Sequence, residues 1–352
     1  MGKQSSRPFL MTRNLHPEVQ ESPIHFLKKN IISNEFFYIR NHFPYPNIHQ
    51  GNFEVTIEGN VMYPYHFHLA QLRQLPSVTI DLVLECAGNK RSKFSPKVHG
   101  EQWEDGAIHQ GSWRGVPLKD LLAITGIGQG AKEVLFTGHD MGEKGKSPHA
   151  SFSRSLPIEK ALHPDTIIAY ECNGKEIPYK HGAPIRLIVP GWYAMASVKW
   201  LKSIAVINHR FDGPFQTDDY VYYPHQNSKE DSFPVTKINV NSTIQKPLNY
   251  SKLKRGENLV RGIAWSGNGP ISKIEISYDN GVTWEKAIKE KNGVTSFYAW
   301  ESWTYLWNID KPGEYVILSK ATDSTGSQPL EPFWNQKGYG YNAVHRTHVK
   351  VE

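Results

Sequence analysis

Cysteine is almost missing from this chain: Cys86 and Cys172 are the two thiols in 352 residues. So few exclude a disulfide framework and agree with a reducing compartment. No apolar run approaches the roughly 18 residues that a membrane-crossing helix needs. Residues 1–30 contain neither a twin arginine nor the apolar centre of a secretory leader, so the expectation is a soluble, cytoplasmic protein with no membrane span. Met1-Gly-Lys-Gln-Ser-Ser6 fits a myristoylation pattern short enough to recur by chance, and the C-terminal Lys350-Val-Glu352 is not a peroxisomal address. Charge of one sign is scarce as well. Lys and Arg exceed Asp and Glu by 40 − 34 = 6, which helps to attract a small anion but is too mild for nucleic acid. There is no Gly-x-Gly-x-x-Gly, phosphate loop, nucleophile elbow or Cys-x-x-Cys-His. Dinucleotide, P-loop, serine-hydrolase and c-type haem chemistry therefore lack support. His66-x-His68 and His345-x-x-His348 have no further partners at zinc spacing and read as ordinary histidines.

Aromatic residues, by contrast, are plentiful: 10 Trp, 17 Tyr and 15 Phe, in a chain 39% apolar and 21% charged. That is the composition of a globular protein rich in packed β structure. The length suggests two domains. Residues 1–30 read as a polar arm lying over the surface. Residues 31–225 alternate short strands (Phe53 to Glu58, Val78 to Leu84, Val134 to Thr137, Ile167 to Tyr170, Ile185 to Val189) with short helices near Phe67 to Arg73 and Leu118 to Ile124. The expected class is mixed α+β. Residues 208 to 237 look like an ordered linker. Residues 226–352 hold spaced strands with an Asp279-Asn-Gly281 hairpin turn, the pattern of a β-sandwich.

Cys86 stands where the apolar strand Val78 to Leu84 gives way to Ala87-Gly88-Asn89, a breaker that lets a ligand approach the main chain. Lys90 and Arg91 follow it, and cations near a thiol favour the thiolate, the form that binds a soft metal. Taken alone, a single cysteine is more often a small apolar filler; Cys172 reads that way.

The surrounding blocks change the reading. Tyr38-Ile-Arg-Asn-His-Phe-Pro44, Cys86-Ala-Gly-Asn-Lys-Arg91, Trp103-Glu-Asp-Gly-Ala-Ile108 and Trp113-Arg-Gly115 resemble the molybdenum domain of the sulfite oxidase family. Ala169-Tyr-Glu-Cys-Asn-Gly174, His181-Gly-Ala-Pro-Ile-Arg186, Val189-Pro-Gly191 and Ser197-Val-Lys-Trp-Leu201 continue it. Trp265-Ser-Gly267, Asp279-Asn-Gly-Val-Thr-Trp284 and Trp334-Asn335 resemble the family's immunoglobulin-like dimerisation domain. So many ordered motifs make chance improbable.

The resemblance implies Cys86 as the thiolate ligand of molybdenum carried by one molybdopterin. It implies cofactor contacts from Tyr38, Ile39, Arg40, Asn41, His42, Asp140, His181, Arg186, Ser197, Val198 and Lys199. It implies a substrate pocket of Arg40, Arg91, Trp103 and Tyr220, with Tyr222 or Tyr223 as alternatives to Tyr220, and an arginine from the second domain that no motif locates. The implied reaction is oxidation of sulfite to sulfate by oxygen-atom transfer, with electrons passed to an external acceptor, a cytochrome or dioxygen. A homodimer is the implied assembly. Reduction of nitrate or of S- or N-oxides on the same scaffold, and a non-catalytic binding protein that kept the fold, are the rival readings.

Overall fold

A computed structural model describes residues 10–49, 51, 53–290 and 296–352. Among these the α-helices are three short ones, Leu69–Gln74, Leu118–Thr125 and Ile158–Ala161. The molecule is therefore mostly β, and the expectation of mixed α+β is corrected in that direction. Apolar triplets of helical spacing fill single turns here, while β-branched runs carry the layers. Leu118–Thr125 shows how local a helix is: it buries Leu118, Leu121, Leu122 and Thr125 on one face and stops at Gly126, whose φ of 67° suits glycine.

Val78–Glu85 is partly exposed at its start and buried through Leu82, Val83, Leu84 and Glu85. It pairs antiparallel with Ile108–Pro117, which pairs with Ile167–Cys172; Lys175–Glu176 and Arg186–Ile188 complete that sheet. A second sheet runs Tyr65–His68, Glu54–Gly59, Leu201–Ile207, Glu133–Lys144, Ser147–Pro157. Between 208 and 237 the chain makes a π-helical turn, Phe215–Asp219, and a two-strand ribbon, Val221–Tyr222 with Phe233–Pro234.

The C-terminal part is two sheets sharing one apolar core. Asn241–Lys246, Gly256–Trp265, Glu301–Ile309 and Ile288–Lys289 form one; Ser251–Leu253, His345–Val351, Gly313–Thr322, Lys273–Ser277 and Glu285–Lys286 form the other. Val260, Ile274, Trp303, Trp307 and Ile317 fill the space between. The expected hairpin turn joins Lys273–Ser277 to Glu285–Lys286, with Asn280 and Gly281 both at positive φ.

The N-terminal segment departs from a surface arm. Met11–Asn14, Val19–Glu21 and Ile39–Arg40 form a three-stranded sheet. Val19 and Glu21 are wholly buried, and the Glu21 carboxylate accepts the amides of Gly106 (2.7 Å) and Glu104 (3.1 Å).

The two large parts meet through a continuous core that includes Val83, Ile108 and Tyr193 from one and Ile263, Trp265 and Trp300 from the other. Val83 N donates to Tyr298 O at 3.0 Å, so a segment of the second part extends the edge of the strand that leads to Cys86. The Trp265 indole donates to Glu85 Oε2 at 2.8 Å, and Lys90 Nζ donates to Asn241 Oδ1 (2.7 Å) and the Ser242 carbonyl (2.8 Å). All these groups are buried. A hydrogen bond to a buried carboxylate contributes about 1 to 3 kcal/mol, because losing it leaves the acceptor dry and unpaired. Trp265→Phe should accordingly lower the unfolding free energy by about that amount, read as a lower urea midpoint at unchanged slope.

Candidate active site

The turn after Val78–Glu85 is held from every side. Cys86 N donates to Ala107 O at 2.9 Å, Asn89 N to Cys86 O at 2.9 Å, and Lys90 N to Glu104 O at 2.7 Å. Asn89 spans the turn, its amide nitrogen reaching Glu85 Oε1 (3.0 Å) and its oxygen accepting from Ala107 N (3.1 Å). Lys90 takes a left-handed φ of 64° to close it. Cys86 carries a free thiol and is buried, at the wall of a cavity.

Burial pushes the Cys86 thiol up from its ordinary pKa, outweighing the opposing pull of Arg40 and Arg91. This corrects the expectation that the basic pair makes the thiol more acidic. Lys90 turns away into the domain junction, where burial brings its ammonium down to about 7. Cys172, wholly buried beside Asn34 and pushed up to about 12, is inert packing.

Most of the residues singled out in the sequence converge on the cavity. Tyr38, Arg40, Asn41 and His42 line it from one segment, Asp140 from the Glu133–Lys144 strand, and His181, Arg186, Ser197 and Lys199 from the stretch 181–199, with Tyr220 and Cys86 in the same lining. Ile39 and Val198 are core residues between their lining neighbours. Trp103 does not line the cavity. It is completely buried behind Tyr38, with ring centroids 6.1 Å apart. Arg91 is not in the wall either: Nε donates to Lys337 O (3.0 Å), Nη1 to Glu101 O (3.1 Å), and the guanidinium lies 5.0 Å from the Tyr339 ring centre.

Three cations face one carboxylate here. Arg186 donates to the carbonyls of His181 (2.9 Å) and Ser197 (2.8 Å) and has no acid partner among the described residues; burial lowers it to about 10. Lys199 donates to Arg40 O (3.1 Å) and to the Asn41 side chain, and burial brings it down to about 7. Asp140 is pushed up by burial to about 6, with Lys199 opposing. Asn41 Nδ2, Asp140 Oδ1 and Arg186 Nε are buried without partners among the described residues. Unpartnered donors in a cationic cavity fit an anionic group with its own hydrogen-bonding edge, as a phosphate-bearing pterin has. Among the described residues no three His, Cys, Asp or Glu side chains converge to hold a metal. A metal at Cys86 would thus need most of its ligands from a second molecule, which a dithiolene supplies.

Of the three candidate tyrosines, Tyr220 lines the cavity. Tyr223 Oη donates to the carbonyls of Thr217 and Asp218, both at 3.2 Å, and Tyr222 lies toward Tyr193 and Asn239. Tyr220 Oη and His42 Nε2 are 2.9 Å apart. Burial pushes the phenol well above its usual range and the imidazole well below, so both are neutral. Sequence reasoning passed over Phe37, Phe152, Met195 and residues 336–341, which have no motif to mark them, although Trp334-Asn335 just before the last of these has one. Phe37 stacks between His109 (4.0 Å) and His181 (4.3 Å). None of arginines 255, 261 and 346 lines the cavity.

Comparison with known proteins agrees with this geometry. Residues 42–215 match the family described as oxidoreductase molybdopterin binding domain, and residues 232–352 the Mo-co oxidoreductase dimerisation domain. The sulfite oxidase of Gallus gallus is 32% identical over 365 residues, covering 98% of this chain and 79% of that protein. The chain belongs to the sulfite oxidase family. The mitochondrial sulfite oxidase of Homo sapiens is likewise 32% identical over 98% of this chain, which spans 66% of the human protein. Since that relative is mitochondrial, a cytoplasmic address does not follow from membership. The nitrate reductase [NADH] of Ulva prolifera is 30% identical, covering 90% of this chain and 40% of its own length. Among solved structures, the sulfane dehydrogenase SoxCD of Paracoccus pantotrophus superposes with a TM-score of 0.81 at 25% identity, covering 97% of this chain and 88% of that one. This member of the family is thus a molybdopterin oxidoreductase with a dimerisation domain. No helix among the described residues is long and apolar enough to cross a membrane.

Burial holds His109 down to about 3, with Ile32 O as its partner at 3.0 Å. Below the unfolded value of about 6.5 the unfolded chain takes a proton that folded His109 refuses, so stability drains away as pH falls from there toward about 3. Each such histidine contributes a slope of about 1.4 kcal/mol per pH unit. His109→Gln keeps a donor for Ile32, and its acid limb should be shallower than wild type by about one proton in urea titrations between those limits.

Proposed function

We propose that this protein oxidises sulfite to sulfate at a molybdenum centre held by Cys86, passing two electrons to an external acceptor. The observation that carries the reading is a buried thiol at the wall of a cavity into which Arg40, Arg186 and Lys199 bring three cations against the single carboxylate of Asp140, with Asn41 Nδ2 and Arg186 Nε unpartnered among the described residues. Arg186, Lys199, Asp140 and Asn41 would hold the pterin and its phosphate, and Cys86 the metal. The bound cofactor supplies the two-electron redox chemistry and oxygen-atom transfer. In balance, sulfite and water give sulfate, two protons and two electrons.

The chain's own contribution is placement. Arg40 lines the cavity, and an undissociating planar cation there would fix an oxyanion against the reacting centre. Neutral Tyr220, braced by His42, would offer one hydrogen bond. Arg91 contributes field more than contact, since two of its donors serve carbonyls. Domains 31–225 and 226–352, with the latter as an immunoglobulin-like sandwich forming a two-fold homodimer, complete the proposal. The acceptor is a cytochrome or dioxygen. A second reading, reduction of nitrate, draws on the Ulva prolifera relative.

Parallel assays with sulfite, nitrate and a sulfoxide test the direction; turnover of nitrate with none of sulfite would overturn it. Cys86→Ser should fold and keep its pterin while losing nearly all turnover, because the phosphate contacts lie elsewhere. Arg40→Gln should lower kcat/KM for sulfite by about thirtyfold to a thousandfold, the loss of a charge-assisted contact of roughly 2 to 4 kcal/mol. Molybdenum content, measured by mass spectrometry, should be unchanged in that variant.

A further inference from the structure

The loop 335–341 of the dimerisation domain is built to present one side chain. Asn335 is wholly buried and clasps Tyr339 at both ends: its Oδ1 accepts Tyr339 N at 3.0 Å and its Nδ2 donates to Tyr339 O at 2.9 Å. Glycines flank Tyr339 at left-handed φ, 62° for Gly338 and 65° for Gly340. A Cβ at Gly338 would stand 2.3 Å from Val98 Cγ2, and one at Gly340 2.4 Å from Tyr222 Oη, so the approach is as close as glycine permits. Two further bonds tie the loop to the cysteine turn, Gly340 N to Ala87 O at 2.8 Å and Arg91 Nε to Lys337 O at 3.0 Å.

What the loop carries to that turn is an aromatic ring stacked on Tyr220, with centroids 5.4 Å apart and planes at 27°, and set against the Arg91 guanidinium. Tyr339 is nine-tenths buried, yet its hydroxyl neither hydrogen-bonds to any described residue nor counts among the buried orphaned atoms. Tyr339 is not itself in the wall of the Cys86 cavity but backs Tyr220, which is, and its oxygen is left for solvent or a ligand that reaches past that ring. The ionisable groups around it are Arg91, Asp219, Arg40 and the Cys86 thiol. Burial raises the phenol to about 12, so it remains a donor at any physiological pH.

We propose that Tyr339 is a substrate-binding residue, whose phenol crosses the domain junction to donate a hydrogen bond to the small oxyanion beside Arg40 and Tyr220. The inference rests on the proposal that an oxyanion is the substrate. It makes the dimerisation domain part of the substrate pocket through a neutral donor rather than a cation. A neutral donor discriminates by geometry and leaves the product dianion free to depart, where a further fixed charge would hold it.

The test uses full-length, cofactor-loaded enzyme and sulfate as an unreactive probe, titrated calorimetrically. Tyr339→Phe should bind sulfate about three- to fifteenfold more weakly, the range of one neutral hydrogen bond. KM for sulfite should rise in step while kcat and molybdenum content hold. Tyr339→Arg should make sulfate binding stronger and more salt-dependent than in wild type. Equal sulfate affinity in wild type and Tyr339→Phe, or no sulfate binding by wild type, would overturn the proposal. Loss of cofactor or fold in Tyr339→Phe would assign the residue to structure and overturn it too. If wild type fails to oxidise sulfite while the sulfate difference persists, the sulfite reading falls and Tyr339 stands.

Discussion

The hydrogen-bonded chain from Asn89 through Glu85 to Trp265 is the constraint on which the rest of the site depends. A turn that exposes a thiol to a cavity cannot also rest on that cavity, so its support must come from behind. There it finds a buried carboxylate with two donors, and a buried ammonium with an amide oxygen and a carbonyl. Burial raises Glu85 to about 7 and lowers Lys90 to about 7, which measures how poorly this interior tolerates charge. Removing one partner leaves a buried group unsatisfied at a cost of about 1 to 3 kcal/mol, more than the net contribution of the bond itself. Its consequence is therefore geometric: few other arrangements of the turn satisfy every group.

A second, opposite strategy governs the cavity. The junction neutralises its polar groups within the protein, whereas the cavity leaves Arg186 and Lys199 with carbonyls and amides in place of acids. Keeping these cations dry with Asp140 as the one opposing carboxylate in the lining is unfavourable. The depressed values of both groups express that cost, and an incoming anion would relieve it. Binding energy for an anionic ligand is in this sense already stored in the fold, and Asn41, Asp140 and Arg186 add directional atoms that no described residue satisfies.

How much of this was legible in the sequence divides along one line. Blocks whose meaning is local were readable: the strand that ends at Cys86, the helix that stops at Gly126, the Asp279-Asn-Gly281 turn, and the cluster of residues that line the cavity. Properties that depend on which distant segment arrives were not. Lys90 looks like a neighbour of the thiol until Asn241 draws it away, and Trp103 looks like a pocket wall until Tyr38 covers it. Val19–Glu21 is polar enough to suggest a surface arm, but the amides of Glu104 and Gly106 supply a buried niche for Glu21. The excess of β over helix follows from the same limit. Short apolar triplets are ambiguous alone, and sheet partners far along the chain decide them.

Arg91 shows why motif position and side-chain role separate. It stands in the motif of the cysteine turn, yet its guanidinium joins three loops, the turn that carries it, that of Glu101 O, and that of Lys337 O and the Tyr339 ring, and glycines 88, 100 and 338 crowd it so closely that a Cβ at each would meet it at 2.6 to 2.9 Å. A cation so fixed has lost the freedom to follow a ligand, but its field still reaches Cys86 and opposes the burial that raises the thiol. Placing a charge by using its hydrogen bonds elsewhere makes its position independent of what occupies the cavity. The same three loops come from both domains, so the electrostatics of the thiol are defined only once the domains have docked. The dimerisation domain is consequently a structural component of the thiol's surroundings, held against the cysteine turn from behind by Trp265 and from the side by Lys337 and Gly340.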